Sequence, residues 1–142
     1  MPVEALSTDL STGVEVIQVG SRAQLVEDGF LVDVSSVALE AGIKHPTCLT
    51  RAVWDQFVEV PAGVMCQDVN GRLWDVLWMY RCHVRGPLSP VRQWRGGLIN
   101  WLTFRVCVRN TNGKPKPVTL KASSGPGDDM QPVITILLEE ED

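Results

Sequence analysis

The stretch LTFRVCVRNTNGKPKPVTLKA, residues 102–122, decides the fold class of this chain. Apolar and polar residues alternate on both sides of a turn-rich centre, which is the pattern of two antiparallel strands that share one apolar face. That face holds Leu102, Phe104, Val106 and Val108 from the first strand and Val118, Leu120 and Ala122 from the second. The stretch therefore predicts a β-hairpin.

The register of this hairpin follows from the parity of its apolar positions. Asn112-Gly113 favours a two-residue turn, which would set Phe104 opposite Lys121. That pairing would place the apolar face of one strand beside the polar face of the other, because a shift of one residue moves every side chain to the other face. We therefore predict a bulge or an odd-length loop, with Phe104 and Leu120 on the same face.

Three further segments have strand composition: TGVEVIQV (12–19), FLVDV (30–34) and PVITILL (132–138). Helices are predicted between and after the first two strands. Ser21 opens a capping box with Gln24, and Gly29 can end that helix near residue 28. Ser35 and Ser36 are N-cap candidates for a short helix that ends at Gly42.

Two longer helices are predicted in the middle of the chain. The first begins at Pro46, carries Leu49, Val53 and Phe57 at four-residue steps, and ends before PAG at 61–63. The second covers about 71–84, within GRLWDVLWMYRCHVRG (71–86), and is capped by Asn70.

The 71–84 helix is apolar on nearly every face, which is typical of a buried helix. We therefore expect Trp74 and Trp78 to be mostly buried. Asp75 would then need a partner, and Arg72 or Arg51 is the candidate. Together these elements predict an α+β fold, in which N-terminal helices pack on one face of a mostly antiparallel sheet of three to five strands.

Length and composition indicate a flexible arm at residues 1–12 and a single α+β domain at residues 13–142. No apolar run is long enough to cross a membrane, and the N-terminus does not resemble a secretory signal. The expected location is therefore the cytoplasm, with no membrane partner. The four cysteines at 48, 66, 82 and 107 lie far apart, so we expect reduced, buried thiols and no metal site.

Charge is strongly segregated along the sequence. Residues 81–121 carry nine basic residues and no acidic one, whereas the segments on both sides are acidic. We predict a docking surface made of Arg105, Arg109 and Lys121 on the outer face of the sheet, with Arg92, Trp94 and Arg95 from the long 86–100 connection.

Two alternatives to a docking surface remain open. The basic residues can be neutralised within the fold, with the acidic tail LLEEED (137–142) folded back over them. Alternatively, the 81–121 segment can bind nucleic acid, with a tryptophan stacked on a base. An isoelectric point near 5.1 and a sheet face without an aromatic pair argue against nucleic acid.

No motif in the sequence names a catalytic chemistry. Cys82 and His83 are neighbours on a helix, so their side chains diverge and cannot form a nucleophile–base pair. His45 lies beside a proline and is interpreted as a surface residue. The turn-rich SSGPGDDMQP (123–132) is interpreted as a tight connection between strands rather than an anion or calcium site. We predict no catalytic residues and no cofactor.

Several stretches taken together resemble a family of small uncharacterised proteins found on bacterial plasmids and other mobile elements. The specific parts are GRLWDVLWM (71–79) and GPGDD..PVITI (125–136), and the similarity extends from about residue 13 onward. The resemblance implies a biological setting rather than an activity: an accessory protein of a mobile genetic element.

The expected function is therefore binding without catalysis. The partner would be a host or element-encoded protein or nucleoprotein complex, and anti-defence inhibition of the anti-CRISPR type is one form of this activity. A small enzyme with an unrecognised active site and a direct nucleic-acid-binding protein are the alternatives. The sequence leaves the oligomeric state open.

Overall fold

The computed structural model describes residues 21–85 and 100–141. The helices are α1 (Arg22–Glu27), α2 (Ser35–Glu40), α3 (Arg51–Val53), which continues as a π-helical turn over Trp54–Val58, and α4 (Val69–Arg85). The strands are β1 (Leu31–Asp33), β2 (Thr47–Thr50), β3 (Asn100–Val108), β4 (Lys116–Pro126) and β5 (Pro132–Leu138). The strand predicted at 12–19 and the N-terminal arm lie outside the described residues.

The five strands form one sheet in the order β1-β2-β5-β4-β3. All neighbours are antiparallel except β2 and β5, which run parallel. The predicted α+β class and the mostly antiparallel sheet are therefore confirmed. Within the described part of the chain, no helix is long and apolar enough to cross a membrane.

The β3–β4 hairpin has the parity that the sequence requires. Phe104 lies directly opposite Leu120, and Leu102 lies opposite Ala122. The connection covers residues 109–115, an odd number, so the two apolar faces coincide. This register confirms the prediction and excludes a two-residue turn at Asn112-Gly113.

A buried hydrophobic cluster forms where α4 packs on β3. Four side chains of α4 point inward, and Tyr80 meets Phe104 edge-on, with 5.7 Å between ring centroids. This edge-on geometry is one that aromatic pairs prefer. The inward side chains of α4 are those of Leu73, Val76, Leu77 and Tyr80.

The short helices use caps that the sequence predicts only in part. The Ser21 hydroxyl accepts a hydrogen bond of 3.1 Å from the Gln24 amide, and Gly29 takes the left-handed conformation with φ of 87°. The Gln24 side chain, however, donates to Asp28 rather than back to Ser21, so the capping box is half formed. The prediction of Ser35 or Ser36 as an N-cap is wrong, since both lie inside α2 and Val34 is at the N-cap position. The Asp33 carboxylate accepts from the Ser35 amide at 2.9 Å.

The prediction of a helix from Pro46 is wrong. Thr47–Thr50 form the buried strand β2, and the helix begins only at Arg51, with the Thr50 hydroxyl accepting from the Val53 amide. A short strand that is buried on both faces shows no alternation, so its sequence resembles one turn of a buried helix. Pairing with β1 and β5 decides the conformation of this segment.

Arg72 is the least expected member of the interior, at 5% exposed. Its guanidinium donates to the carbonyl oxygens of Val58 and Arg109 and to the side chain of Asn110, at 3.1, 2.7 and 2.6 Å. Arg72 therefore ties α4 to the π-helical turn and to the β3–β4 connection. Burial lowers the pKa of its guanidinium.

The predicted pairing of Asp75 with Arg72 or Arg51 is also wrong. Arg72 binds the acceptors named above, and Arg51 lies 4.0 Å from Asp55 as the exposed i,i+4 ion pair. Asp75 itself is exposed, because it lies on the outer side of α4 rather than among the buried residues.

Candidate functional site

The two tryptophans of α4 lie on its outer face, and the prediction that they are mostly buried is wrong. Trp74 and Trp78 are 36% and 40% exposed. They are one helical turn apart and stack on each other, with ring centroids 6.1 Å apart and planes inclined by 11°. The Arg81 guanidinium lies 4.8 Å from the centroid of the Trp78 ring. Stacked aromatics with a cation over one face form an ordered apolar surface.

This aromatic surface borders the last strand of the sheet. In the described part of the chain, β3 pairs with β4 alone, so its outer edge has no strand partner. A groove of about 430 Å³ runs between α4 and this edge. We call its margin the edge surface: Trp74, Asp75, Trp78, Arg105 and Cys107.

Asp75 is the acidic member of the edge surface. Partial desolvation beside the tryptophans raises the pKa of its carboxyl group. The groove also brings Asp75 and Arg105 to the same edge. The edge surface therefore offers an apolar centre with one acidic and one basic side chain beside it.

The outer face of the hairpin carries the predicted cations Arg105 and Lys121. Both lie on the face opposite Phe104 and Leu120, as the register requires. The Lys121 ammonium lies 4.8 Å from the centroid of the exposed Trp101 ring, in cation–π contact. The sheet thus continues the pairing of aromatic and basic side chains that is seen on α4.

The predicted outward orientation of Arg109 is wrong. Its guanidinium donates to the main-chain carbonyls of Gly113 and Met65, so it holds the 109–115 connection against the loop before α4. Asn112 supports the same contact by bonding the Gly63 carbonyl at 2.9 Å. Arg109 is therefore a structural residue. Arg92, Trp94 and Arg95 lie outside the described residues.

The acidic tail does not cover the basic face within residues 137–141. The Glu141 carboxylate accepts from the Thr50 hydroxyl at 2.7 Å and from the Leu138 amide at 2.8 Å. These contacts hold the tail at the end of β2, two strands away from β4 in the sheet. Among the described residues, no basic side chain of the 81–121 segment forms an ion pair.

The cysteines are less buried than predicted. Cys48 is buried, whereas Cys66, Cys82 and Cys107 are exposed. Burial raises the pKa of the Cys48 thiol, and the nearby Arg22 guanidinium opposes this effect. Within residues 21–85 and 100–141, no three side chains of the metal-binding types come together.

The SSGPGDDMQP segment is a connection only over residues 127–131, because residues 123–126 extend β4 and Pro132 begins β5. The connection also has a role that the sequence does not reveal. The Asp128 carboxylate accepts hydrogen bonds from the main-chain amides of Arg22 and Ala23, at 2.9 and 3.0 Å. These bonds hold the pKa of Asp128 below its ordinary value. No local signal marks this partner, because it lies more than a hundred residues away.

Comparisons of the chain with protein-family models, with curated proteins and with solved structures each find no match. The resemblance to mobile-element proteins therefore stays a prediction. The function proposed below therefore depends on the edge surface.

Proposed function

We propose that this chain is a small non-enzymatic binding protein whose edge surface docks on a protein partner. The observation that carries the proposal is the stacked, half-exposed pair Trp74 and Trp78 beside the outer edge of β3, which has no strand partner among the described residues. Tryptophan and arginine are enriched at the energetic centres of protein interfaces. Arg81 over Trp78 and Arg105 across the groove supply the arginines.

The outer edge of β3, which no other described strand pairs, favours a partner that contributes an extended segment. An unpaired strand edge presents amide and carbonyl groups that another chain can bond, and side-chain pockets beside the edge then give specificity. In this chain the groove between α4 and β3 is such a pocket. Arg105 and Lys121 give the hairpin a positive outer face, which favours an acidic segment.

Nucleic acid is the less favoured partner, because the basic residues are dispersed. Arg109 is bound to main-chain carbonyls, Lys121 lies over Trp101, and Arg81 and Arg85 lie at the far end of α4. A track for phosphate backbone needs several free cations in line, and the chain as a whole is acidic.

The biological setting that we propose is that of an accessory protein of a bacterial mobile genetic element, acting in the cytoplasm. The resemblance of GRLWDVLWM and GPGDD..PVITI to such proteins supports this setting. The partner is then a host or element-encoded protein or nucleoprotein complex, and inhibition of a host defence complex is one form of the activity.

Quantitative affinity capture from a nuclease-treated host extract tests the proposal. The wild-type chain is compared with the Trp74→Ser/Trp78→Ser double variant, with Arg105→Glu, and with the matched control Phe30→Ser. Phe30 is 64% exposed and precedes β1, at the opposite edge of the sheet. The proposal expects one protein to be captured by wild type and Phe30→Ser and lost by both edge variants.

Two results would contradict it. The first is retention of every captured protein by both edge variants while their melting temperatures stay at the wild-type value. The second is a captured species that is nucleic acid, with an affinity that falls log-linearly with salt by roughly one unit of slope per phosphate neutralised. Once a partner has been captured, strand addition predicts slower amide hydrogen exchange along β3 in the complex than in the free chain.

A further inference from the structure

A separate cleft of about 620 Å³ lies at the C-terminal end of α4, away from the groove at the β3 edge. Three parts of the fold line it: the connection between α2 and β2, the last turns of α4, and the end of the β4–β5 hairpin. Its volume lies within the range of about 300–1,000 Å³ that is typical of small-molecule sites. The cleft is therefore large enough for a small organic ligand.

The walls of the cleft are mainly apolar. Ile43, Val84 and Ile134 contribute aliphatic groups from the three parts of the fold, and Met130 and Pro132 extend the apolar wall along the hairpin. Tyr80 adds an aromatic ring, and burial raises the pKa of its hydroxyl to about 12, so this group stays neutral. A ligand that fills the cleft would bury an apolar body.

The charged residues on the cleft all have the same sign. Lys44, Arg81 and Arg85 lie on it together with His45, and the described lining residues include no aspartate or glutamate. The negative end of a helix dipole attracts a cation, which accounts for Arg85 in the last turn of α4. It does not account for Lys44, which comes from the α2–β2 connection.

Arg81 also carries an unmet hydrogen-bonding group. Its Nε atom is buried and has no hydrogen-bond partner within residues 21–85 and 100–141. The atom lies against the backbone of Gly42, where an added Cβ would approach it to 2.6 Å. Buried donors are nearly always paired, so an unpaired one at the wall of a cleft needs an explanation. Because Nε itself is closed to solvent, an anionic group in the cleft would compensate it through the charge of the guanidinium rather than through a direct hydrogen bond to Nε.

We propose that the cleft binds an amphipathic anion: a small molecule with an apolar body and one anionic head group of the carboxylate or phosphate type. The body lies against Ile43, Val84 and Ile134, and the head group pairs with Arg81 at the cationic wall. This proposal goes beyond the docking function and does not depend on it, because the two sites share only the Arg81 side chain, which passes between Trp78 and Gly42.

Titration with three probes tests the proposal by calorimetry and methyl NMR. The probes are octanoate, which has both parts, 1-octanol, which lacks the charge, and acetate, which lacks the apolar body. We expect saturable octanoate binding with methyl shifts at Ile43, Val84 and Ile134. Octanol and acetate should each bind at least about tenfold more weakly than octanoate. Octanol loses the charge-assisted hydrogen bond, and acetate loses the burial of an apolar body.

The variant Arg81→Met tests whether Arg81 binds the anionic head group, because methionine removes the charge and keeps an apolar side chain of similar length. It should weaken octanoate binding about tenfold or more and leave octanol binding unchanged. Arg105→Met removes one positive charge from the distant hairpin and should leave both affinities unchanged. If Arg81→Met fails to fold, the double variant Lys44→Met/Arg85→Met replaces it, because both residues are exposed.

Three outcomes overturn the proposal. The first is that wild type fails to bind octanoate saturably. The second is that octanol binds as tightly as octanoate, and the third is that the methyl shifts occur away from the cleft. Loss of partner capture by the tryptophan variants with unchanged octanoate binding would separate the two sites. The reverse result, with octanoate binding absent and partner capture intact, would reject the cleft alone.

Discussion

The guanidinium of Arg72 donates a hydrogen bond of 2.7 Å to the main-chain carbonyl of Arg109, which lies 37 residues further along the chain. Arg109 in turn donates to the carbonyl of Met65, in the loop that leads into α4. The two arginines therefore join the start of α4 to the end of β3 through main-chain acceptors rather than through ion pairs. This connection holds the helix against the hairpin that bears the edge surface.

Replacing Arg72 by methionine should be among the most destabilising changes in this chain. The variant fills a similar volume but leaves the carbonyls of Val58 and Arg109 and the Asn110 side chain without their donor. A buried acceptor left unpaired costs about 1–3 kcal/mol, and the Val58 bond is buried while the other two are partly buried, so a loss of about 3 kcal/mol is expected in urea unfolding. Arg51→Met is the control and should change stability by no more than about 0.5 kcal/mol, since its ion pair is exposed. Equal effects of the two variants would show that the Arg72 hydrogen bonds contribute little.

The positions of Leu77 and Trp78 predict destabilisation of very different size for two neighbouring residues. Leu77 is fully buried and Trp78 is 40% exposed. Leu77→Ala should therefore cost about 2–5 kcal/mol in the free energy of unfolding, as a cavity forms in the core. Trp78→Ala should cost no more than about 1 kcal/mol, because Trp78 is 40% exposed and stacks on Trp74 and Arg81 at the surface. Thermal melting of both variants measures the difference. A Trp78→Ala effect as large as that of Leu77→Ala would show that Trp78 contributes to the core as Leu77 does.

The sequence predicts the hairpin better than the helices, and the reason is physical. Alternation at Phe104 and Leu120 has a period of two, and only one register lets both apolar faces coincide, so the pattern determines the pairing. The α4 sequence is apolar on all sides and contains no information on which side meets the sheet. Because α4 lies over β3 at the edge of the sheet, one side of it stays uncovered, and Trp74 and Trp78 are on that side.

The functional surface and the supporting contacts were less predictable. Arg105 and Lys121 follow from parity, but the role of Arg109 depends on carbonyls in a loop more than forty residues earlier. The same holds for Asp128, whose partners are the first amides of α1. Contacts between side chains and distant main-chain groups leave no periodic pattern, so a single sequence does not reveal them.

The cysteines provide a direct measure of the fold without any mutation. Cys66, Cys82 and Cys107 are exposed and Cys48 is buried at 3% exposure. Because the thiolate is the reactive form, burial and a raised thiol pKa both protect Cys48. Reaction of the native protein with a chromogenic disulfide at mildly alkaline pH should therefore modify three thiols quickly, and the fourth only after denaturant is added. Rapid modification of all four would mean that β2 is not covered as described.

Asp128 should make the stability of the chain depend on pH in the acidic range. The amides of Ala23 and Arg22 bond the charged carboxylate and hold its pKa below the ordinary value of 3.8. Because the pKa is lower in the folded than in the unfolded chain, the stabilisation is complete above pH 3.8 and is lost as the pH falls through the folded-state value. Asp128→Asn lacks the charge, so its melting temperature should lie below that of wild type at neutral pH, and the gap should close below pH 3.8. Asp129→Asn is the control, since it removes the same charge from the same turn while its oxygen still accepts from the Gln131 amide. A gap for Asp128→Asn that stays constant with pH, or one that Asp129→Asn reproduces, would contradict a specific bond between Asp128 and the start of α1.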